Sequence, residues 1–218
     1  MNQALVLFSG GQDSTTCLYW ALKEFSLVEV ITFDYGQRHA VELEAAEAIA
    51  EKASVKLTRL PIDTFKALGG NSLTGDLEVS NSPGKNMLPN TFVPGRNLIF
   101  FSYAAALAYD KDIENLVGGM NQMDYSGYPD CRKNTVLALE LAINLGMDKD
   151  FHIHTPLMYK TKKEIWAMAD ELGCLDVVKT LSHSCYNGVR GGCGTCQACV
   201  LRNSGLAEYE SSLKSGGI

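Results

Sequence analysis

Six residues, SGGQDS at positions 9–14, constrain this chain more than any other stretch. They follow an apolar run, QALVLF at 3–8, and open STTCLYWALK at 14–23, a segment of helix length. A short apolar run that stops at glycines reads as a buried strand and a turn. Strand, glycine turn and helix in succession gather backbone N–H groups at the helix start, where they cradle an anion. Gly10 and Gly11 let phosphate oxygens approach the backbone, and Ser9 and Ser14 add hydroxyl donors. Asp13 repels a bare phosphate, so its expected use is to bind the Mg²⁺ that bridges phosphate oxygens. The plain structural alternative is a strand-to-helix turn capped by Asp13 or Ser14.

The pattern repeats without the glycines. Residues 28–33 (VEVITF) read as a second strand, and 40–53 (AVELEAAEAIAEKA) as a helix with Val41, Ala45, Ala48 and Ile49 on one face. Residues 55–60 (VKLTRL) alternate as a third strand. Helix-length crossovers between strands require parallel pairing, so the expected fold is α/β, a parallel sheet with helices on both faces. Beyond it come a long loop over 64–92, a buried helix over 98–109, a strand over 113–118 and a helix over 134–145. Thr161 and Glu164 form a T-x-x-E capping box. Ile165, Met168, Ala169 and Leu172 then share one helical face, and Gly173 is the expected cap. The final SSLKSGGI is expected to fray. His154 reads as a satisfied strand-end residue.

At 218 residues the chain is one domain with at most a small appendage. Nineteen Lys and Arg against 25 Asp and Glu give a net charge of −6, which argues against phosphate-driven nucleic-acid binding. The longest apolar run has 12 residues, too short to span a bilayer, and no basic region precedes the apolar N-terminal stretch. A cytoplasmic protein without membrane partners is expected. Of seven cysteines, Cys185, Cys193, Cys196 and Cys199 fall within 15 residues. In a reducing compartment such a cluster points to a metal rather than to disulfides. Four thiolates suit one tetrahedral zinc per chain, and a closed Cys₄ site is structural. An iron–sulfur cluster is the rival, although the C-P ending of ferredoxin runs is missing. His183, two residues before Cys185, is a competing ligand.

SGGQDS lacks the G-K-[ST] ending of a Walker A loop and the G-x-G-x-x-G dinucleotide fingerprint. It resembles the pyrophosphate loop of the N-type ATP pyrophosphatases, the PP-loop ATPases with an adenine nucleotide alpha hydrolase-like fold. That likeness implies ATP contacts over 8–18, namely Phe8, Ser9, Gly10, Gly11, Gln12, Asp13, Ser14, Thr15, Thr16, Cys17 and Leu18, with Asp34 and Tyr35 near adenine. FDYGQRH (33–39), FVPGRN (92–97), DYSGYPDCR (124–132), HTPLM (154–158) and the cysteine cluster narrow it. Together they resemble the 7-cyano-7-deazaguanine synthase family of queuosine biosynthesis, over nearly the whole chain. The likeness implies an ATP-dependent carbon–nitrogen ligase acting on 7-carboxy-7-deazaguanine and ammonia through an adenylate and an amide. Ser9, Asp13, Ser14, Arg96 and Lys162 would be catalytic, Arg96 on α-phosphate charge and Lys162 on the adenylate phosphate. It also implies a homodimer.

Read as chemistry, Asp124 and Asp130 can accept from a guanine-like edge, Arg132 can fork onto a carboxylate or phosphate, and Tyr125 and Tyr128 can stack. A polar turn around Pro129 is the alternative. The implied organisation is a PP-loop domain (1–184), a zinc-binding segment packed on it (185–204) and a tail (205–218). The chain's length leaves no room for a glutaminase domain, so free ammonia is the expected nitrogen source. Two other readings stand beside this one. One is a PP-loop adenylase of tRNA thiolation, which calls for a basic face and catalytic thiols. The other is a nonenzymatic zinc-ribbon module, which has no need of SGGQDS.

Overall fold

The computed structural model describes residues 2–37, 40–65, 88–123 and 128–215. Five strands, β1 (Gln3–Leu7), β2 (Leu27–Asp34), β3 (Lys56–Pro61), β4 (Asn115–Val117) and β5 (His152–His154), pair in the order β3-β2-β1-β4-β5. Every pairing is parallel. The helices are α1 (Gln12–Glu24), α2 (Val41–Lys52), α3 (Arg96–Asp110), α4 (Lys133–Met147), α5 (Lys162–Glu171), α6 (Leu175–Thr180) and α7 (Gln197–Ser215).

Alternation along the strands builds two cores. Leu5, Ile31, Phe33, Leu116 and Ile153 pack on one face with Phe101, Ala104, Ala105 and Ala108 of α3 and Val136 and Ile143 of α4. Ala4, Val6, Val28, Val30 and Val117 face the other side, against α1, Ala46, Ile49 and Ala50 of α2 and Ile165 of α5. The central strands are buried on both faces, as parallel sheets require, while the edge strands β3 and β5 are partly exposed. The expected α/β architecture with helices on both faces is present.

The chain departs from β1 in two directions. β2 and β3 lie on one side of it, β4 and β5 on the other. Open parallel sheets bind ligands outside the strand C-termini at such a reversal. The glycine turn after β1 and Gly118–Gly119 after β4 meet there.

The capping box of α5 forms on both sides, with Glu164 N–H donating to Thr161 Oγ1 and Thr161 N–H to the Glu164 carboxylate. Gly173 follows that helix with φ +71°, the left-handed turn expected of it. The C-terminal end departs from expectation: α7 runs through Ser215, across the expected boundary at residue 205 and into the stretch expected to fray. Gly205 sits inside α7 because a Cβ there would lie 2.5 Å from Lys162 Cβ. Close packing of α7 on α5 requires glycine at a position that reads as a helix breaker. The expected long loop over 64–92 falls largely outside the described residues.

Candidate active site

The turn after β1 is stitched from its own residues. Gly10 has φ +75°, and a Cβ there would lie 2.5 Å from Ala46 N and 2.9 Å from Glu42 O, so the turn presses on α2 in a way only glycine permits. Gly11 N–H donates to Ser9 Oγ (3.3 Å), the Ser9 and Ser14 hydroxyls sit 3.1 Å apart, and Ser14 Oγ donates to Gly11 O (3.2 Å). Behind them the Thr15 and Thr16 hydroxyls return to the Gly11 and Gln12 carbonyls at 2.7 and 3.0 Å. No side chain of the first turn caps α1. The cap comes from far along the chain: Gln12 N–H donates to Ser184 Oγ (3.3 Å), and His183 N–H donates to Gly10 O (2.9 Å).

The turn opens into a cavity of about 300 Å³. Phe8, Ser9, Gly11, Gln12, Asp13 and Ser14 line it, joined by Gly119, whose Cα lies so close to α1 that a Cβ would be 3.3 Å from the Asp13 backbone. Lys162, at the start of α5, reaches Asp13 at 2.8 and 3.0 Å. Of the other residues expected around ATP, Gly10 shapes the turn without lining the cavity, and Thr15, Thr16, Cys17 and Leu18 are fully buried in α1 behind it. Burial and, secondarily, Asp13 push the Cys17 thiol well above its ordinary value, which makes it inert packing.

The opposite wall is aromatic and holds a buried charge. Arg96 begins α3 behind Gly95, whose φ is +73°. Its guanidinium faces the Tyr35 ring at 5.8 Å and donates to Tyr35 Oη at 3.4 Å. Burial opposes the Arg96 charge, but Tyr35, Tyr128, Asp130 and Cys131 hold it on and raise its pKa. Burial drives the Tyr35 phenol up to about 12. Tyr128 lines the same wall, paired with Thr91 Oγ1 at 2.5 Å and stacked on Phe92. Half-buried Glu42 completes it from the first turn of α2. Burial lifts that carboxyl to about 7, against the opposing pull of Arg96.

The expected substrate set is split by the structure. Tyr128 faces the cavity, whereas Asp130 is buried outside it, with Oδ2 accepting from Asn97 N–H (3.1 Å) at the start of α3. Arg132 is exposed at the start of α4 and does not line the cavity. Asp124, Tyr125 and His39 lie outside the described residues. Tyr35 lines the cavity as expected, but its neighbour Asp34 pairs with Arg59 (2.6 Å) and does not line it. His154, at the end of β5, bonds Asn115 at 3.0 Å. The sequence pattern does not mark Glu42, Thr91, Asn97 or Ser184 as site residues. Their roles depend on contacts between distant segments.

Cys185, Cys193, Cys196 and Cys199 gather with all four sulfurs within 4.8 Å of one another. Zinc at about 2.3 Å from each sulfur sets them roughly 3.8 Å apart, so the set fits a tetrahedral ion. Hydrogen bonds from the Thr195 hydroxyl first, and then from Cys196 N–H, pull the Cys193 thiol down, while burial raises Cys196 and Cys199. His183 is not a ligand here: its Nε2 bonds the Cys185 carbonyl at 3.1 Å. Arg202 locks this segment to the body, donating to Ser182 Oγ (2.6 Å) and Val178 O (2.7 Å) while lying over the Trp166 ring.

The family model described as queuosine biosynthesis protein QueC matches residues 3–210. A Chromobacterium violaceum protein named 7-cyano-7-deazaguanine synthase is 56% identical over 212 residues, covering 95% of this chain and 90% of the relative. The Bacillus subtilis protein of the same name is 52% identical, covering 95% of each. Among solved structures, a 4-thiouridine synthetase–RNA complex with bound ATP aligns at TM-score 0.55 and 18% identity, over 96% of this chain and 50% of that one. A predicted subunit of tRNA methyltransferase from Methanocaldococcus jannaschii aligns at 0.52 and 19%, over 78% and 75%. Likenesses at that identity speak to the fold alone.

Proposed function

The chain belongs to the queuosine biosynthesis protein QueC family, and from that membership we propose how its site works as an ATP-dependent ligase making 7-cyano-7-deazaguanine from 7-carboxy-7-deazaguanine and ammonia. The observation that carries the reading is the SGGQDS turn, set at the switch point of the sheet and opening on a cavity whose far wall holds Arg96. A carboxylate oxygen is a poor leaving group. Its attack on the α-phosphorus of ATP expels pyrophosphate and makes an acyl adenylate, from which ammonia displaces AMP to give the amide. The amide oxygen is then adenylated in a second round, and its loss as AMP leaves the nitrile. With one SGGQDS turn in the sequence, one site serves both rounds.

Ser9, Gly11, Gln12 and Ser14 hold the phosphates, Phe8 closes the turn from behind, and Arg96 steadies charge on the α-phosphate. Asp13 would hold Mg²⁺, which supplies charge neutralisation for the departing pyrophosphate, and Lys162 would then pass from Asp13 to the phosphate. Asp124, Tyr128, Asp130 and Arg132 are the proposed recognition set for the deazaguanine, with Tyr128 on the cavity wall and Asp130 anchoring it to α3. The four cysteines would hold one zinc as a closed structural crosslink, within a zinc-binding segment (185–204) on a PP-loop domain (1–184). Residues 205–215 continue α7 on that domain. The thiolation reading is not favoured: relatives above 50% identity carry the synthase name, and the clustered thiols sit at metal-ligand spacing.

We further take the protein to be a cytoplasmic homodimer that needs neither membrane nor nucleic acid. No helix among the described residues is long and apolar enough to cross a membrane. Leu137, Leu141 and Leu145 form an exposed stripe at four-residue spacing on α4, which supports a partner copy there. The test of function is incubation with ATP, Mg²⁺, ammonium and the carboxylated deazaguanine. The nitrile, with AMP and pyrophosphate, is the expected product by mass. Absence of both pyrophosphate and nitrile would overturn the reading.

A further inference from the structure

We propose that Glu42 is the proton acceptor for the ammonia that attacks in this site, a role that rests on the ligase reading above. Ammonium carries no lone pair, so nitrogen must lose a proton to a group within reach before or as it attacks. Among the described cavity-lining residues, the carboxylates are Asp13 and Glu42. Asp13 is held by Lys162 at 2.8 Å. The His183 ring is tied to the Cys185 carbonyl, and Tyr35, lifted to about 12, keeps its proton. The Glu42 carboxylate accepts no hydrogen bond from the described residues, although the cavity exposes it and its main chain abuts the phosphate turn through Gly10. Arg96 and Tyr35 share its wall and act on it electrostatically. Asp13, Lys162 and His183 line the same space from α1, α5 and the segment before the cysteines. With its pKa near 7, the carboxylate is poised to exchange protons at neutral pH.

In the first round the C–N bond forms and the C–O bond to AMP breaks. Its electron pair leaves with the AMP oxygen, and the N–H proton passes to Glu42. In the second round the amide loses one N–H proton to Glu42 as its oxygen bonds the α-phosphorus and pyrophosphate leaves, so the adenylated imidate has one N–H left. That proton goes to the same carboxylate as the C–O bond breaks and the third C–N bond forms. Between transfers Glu42 returns its proton to solvent through the open cavity. No oxidant or reductant is needed.

The test separates activation of the acid from attack by nitrogen, using full-length Glu42→Gln with its metal in place. Exchange of labelled pyrophosphate into ATP, driven by the carboxylated deazaguanine alone, should stay within about three-fold of wild type. Nitrile formation with ammonium near pH 7 should fall by about 10²-fold or more, the usual range for losing a general base. Wild-type nitrile formation should rise through about pH 7 more steeply than free ammonia does, and the variant should keep only the slope of free ammonia. Hydroxylamine, neutral at that pH, should still trap the adenylate as hydroxamate at near wild-type rate, which also confirms that the variant is folded. Nitrile formation within about three-fold of wild type overturns the role of Glu42, as does an equal loss of exchange and nitrile. Wild-type protein that shows no acid-dependent exchange at all overturns the ligase reading instead.

Discussion

The two walls of the cavity are built by opposite routes. The phosphate wall comes from one unbroken run, residues 8–14, whose hydroxyls and amides satisfy one another around a glycine that no other residue could replace. The facing wall is assembled from Tyr35, Glu42, Arg96 and Tyr128, drawn from separate segments, and its charges sit among aromatic rings. A contiguous wall tolerates little change in its own residues and meets changes elsewhere through a few ties, those from His183 and Ser184 among them. An assembled wall depends on packing, and packing moves the titration of its groups away from ordinary values.

The largest effect belongs to the phosphate wall. Asp13→Ala should lower acid-dependent pyrophosphate release by about 10³-fold, the scale of losing an electrostatic stabiliser of a phosphoryl transition state, with the melting temperature moved by only a few degrees. Release within a few-fold of wild type would remove the metal role from Asp13. Next comes the support behind that wall. Cys196→Ser should lower stability by about 2–4 kcal/mol, or roughly 5–15 °C in melting temperature, because metal binding contributes folding free energy. Ser184 and His183 tie the phosphate turn to the cysteine segment, so ATP affinity measured by calorimetry should drop along with it. Metal analysis of the parent protein should give about one zinc per chain. Unchanged ATP affinity in a metal-free, folded variant would show the turn to be self-sufficient, which would sharpen the contrast further.

What was legible in the sequence follows the same division. SGGQDS could be read because strand, turn and helix N-terminus are consecutive, so spacing alone implies the cradle. The three first strands and α5 could be read from period and capping. Glu42 could not: in AVELEAAEAIAEKA it is one acidic residue among several on a solvated helix, and only the close approach at Gly10 brings it to the cavity. Asp130 and Arg132 look alike in DYSGYPDCR, yet a short helical turn at Pro129–Cys131 buries one and exposes the other. α7 was missed because its polar residues run all round it and its glycine marks a packing contact rather than an end.

That glycine supplies an intermediate test. Gly205→Ala forces a Cβ to within 2.5 Å of Lys162 Cβ and 2.9 Å of the Lys162 carbonyl carbon. Backbone has to move, at a cost of about 1–3 kcal/mol, and Lys162 moves with it. Both stability and the KM for ATP should suffer. Gly146→Ala, where nothing lies within 4 Å, should instead raise stability by about 0.5–1 kcal/mol and leave kinetics alone. Equal effects at the two positions would mean that α7 does not set Lys162.

A pH-dependent effect, smaller than that at Gly205, reads the facing wall directly. The Glu42 carboxyl sits at about 7 in the folded protein against an ordinary 4.5. Between those values the folded state keeps a proton that the unfolded chain has released. Stability therefore falls as pH rises through that window and levels off above about 7. Glu42→Gln has no charge to bury, so it should melt like wild type near pH 4 and gain about 1–2 kcal/mol over it near pH 8, roughly 3–6 °C, after allowance for solvent reaching the group through the cavity. Asp13→Asn on the phosphate wall should do the reverse near pH 8, since it strands the partly buried ammonium of Lys162 without its partner at 2.8 Å. Thermal scans of both variants across that pH range decide the matter. A gain for Glu42→Gln that is the same at every pH would trace to packing, and the charge on the assembled wall would then cost the fold nothing.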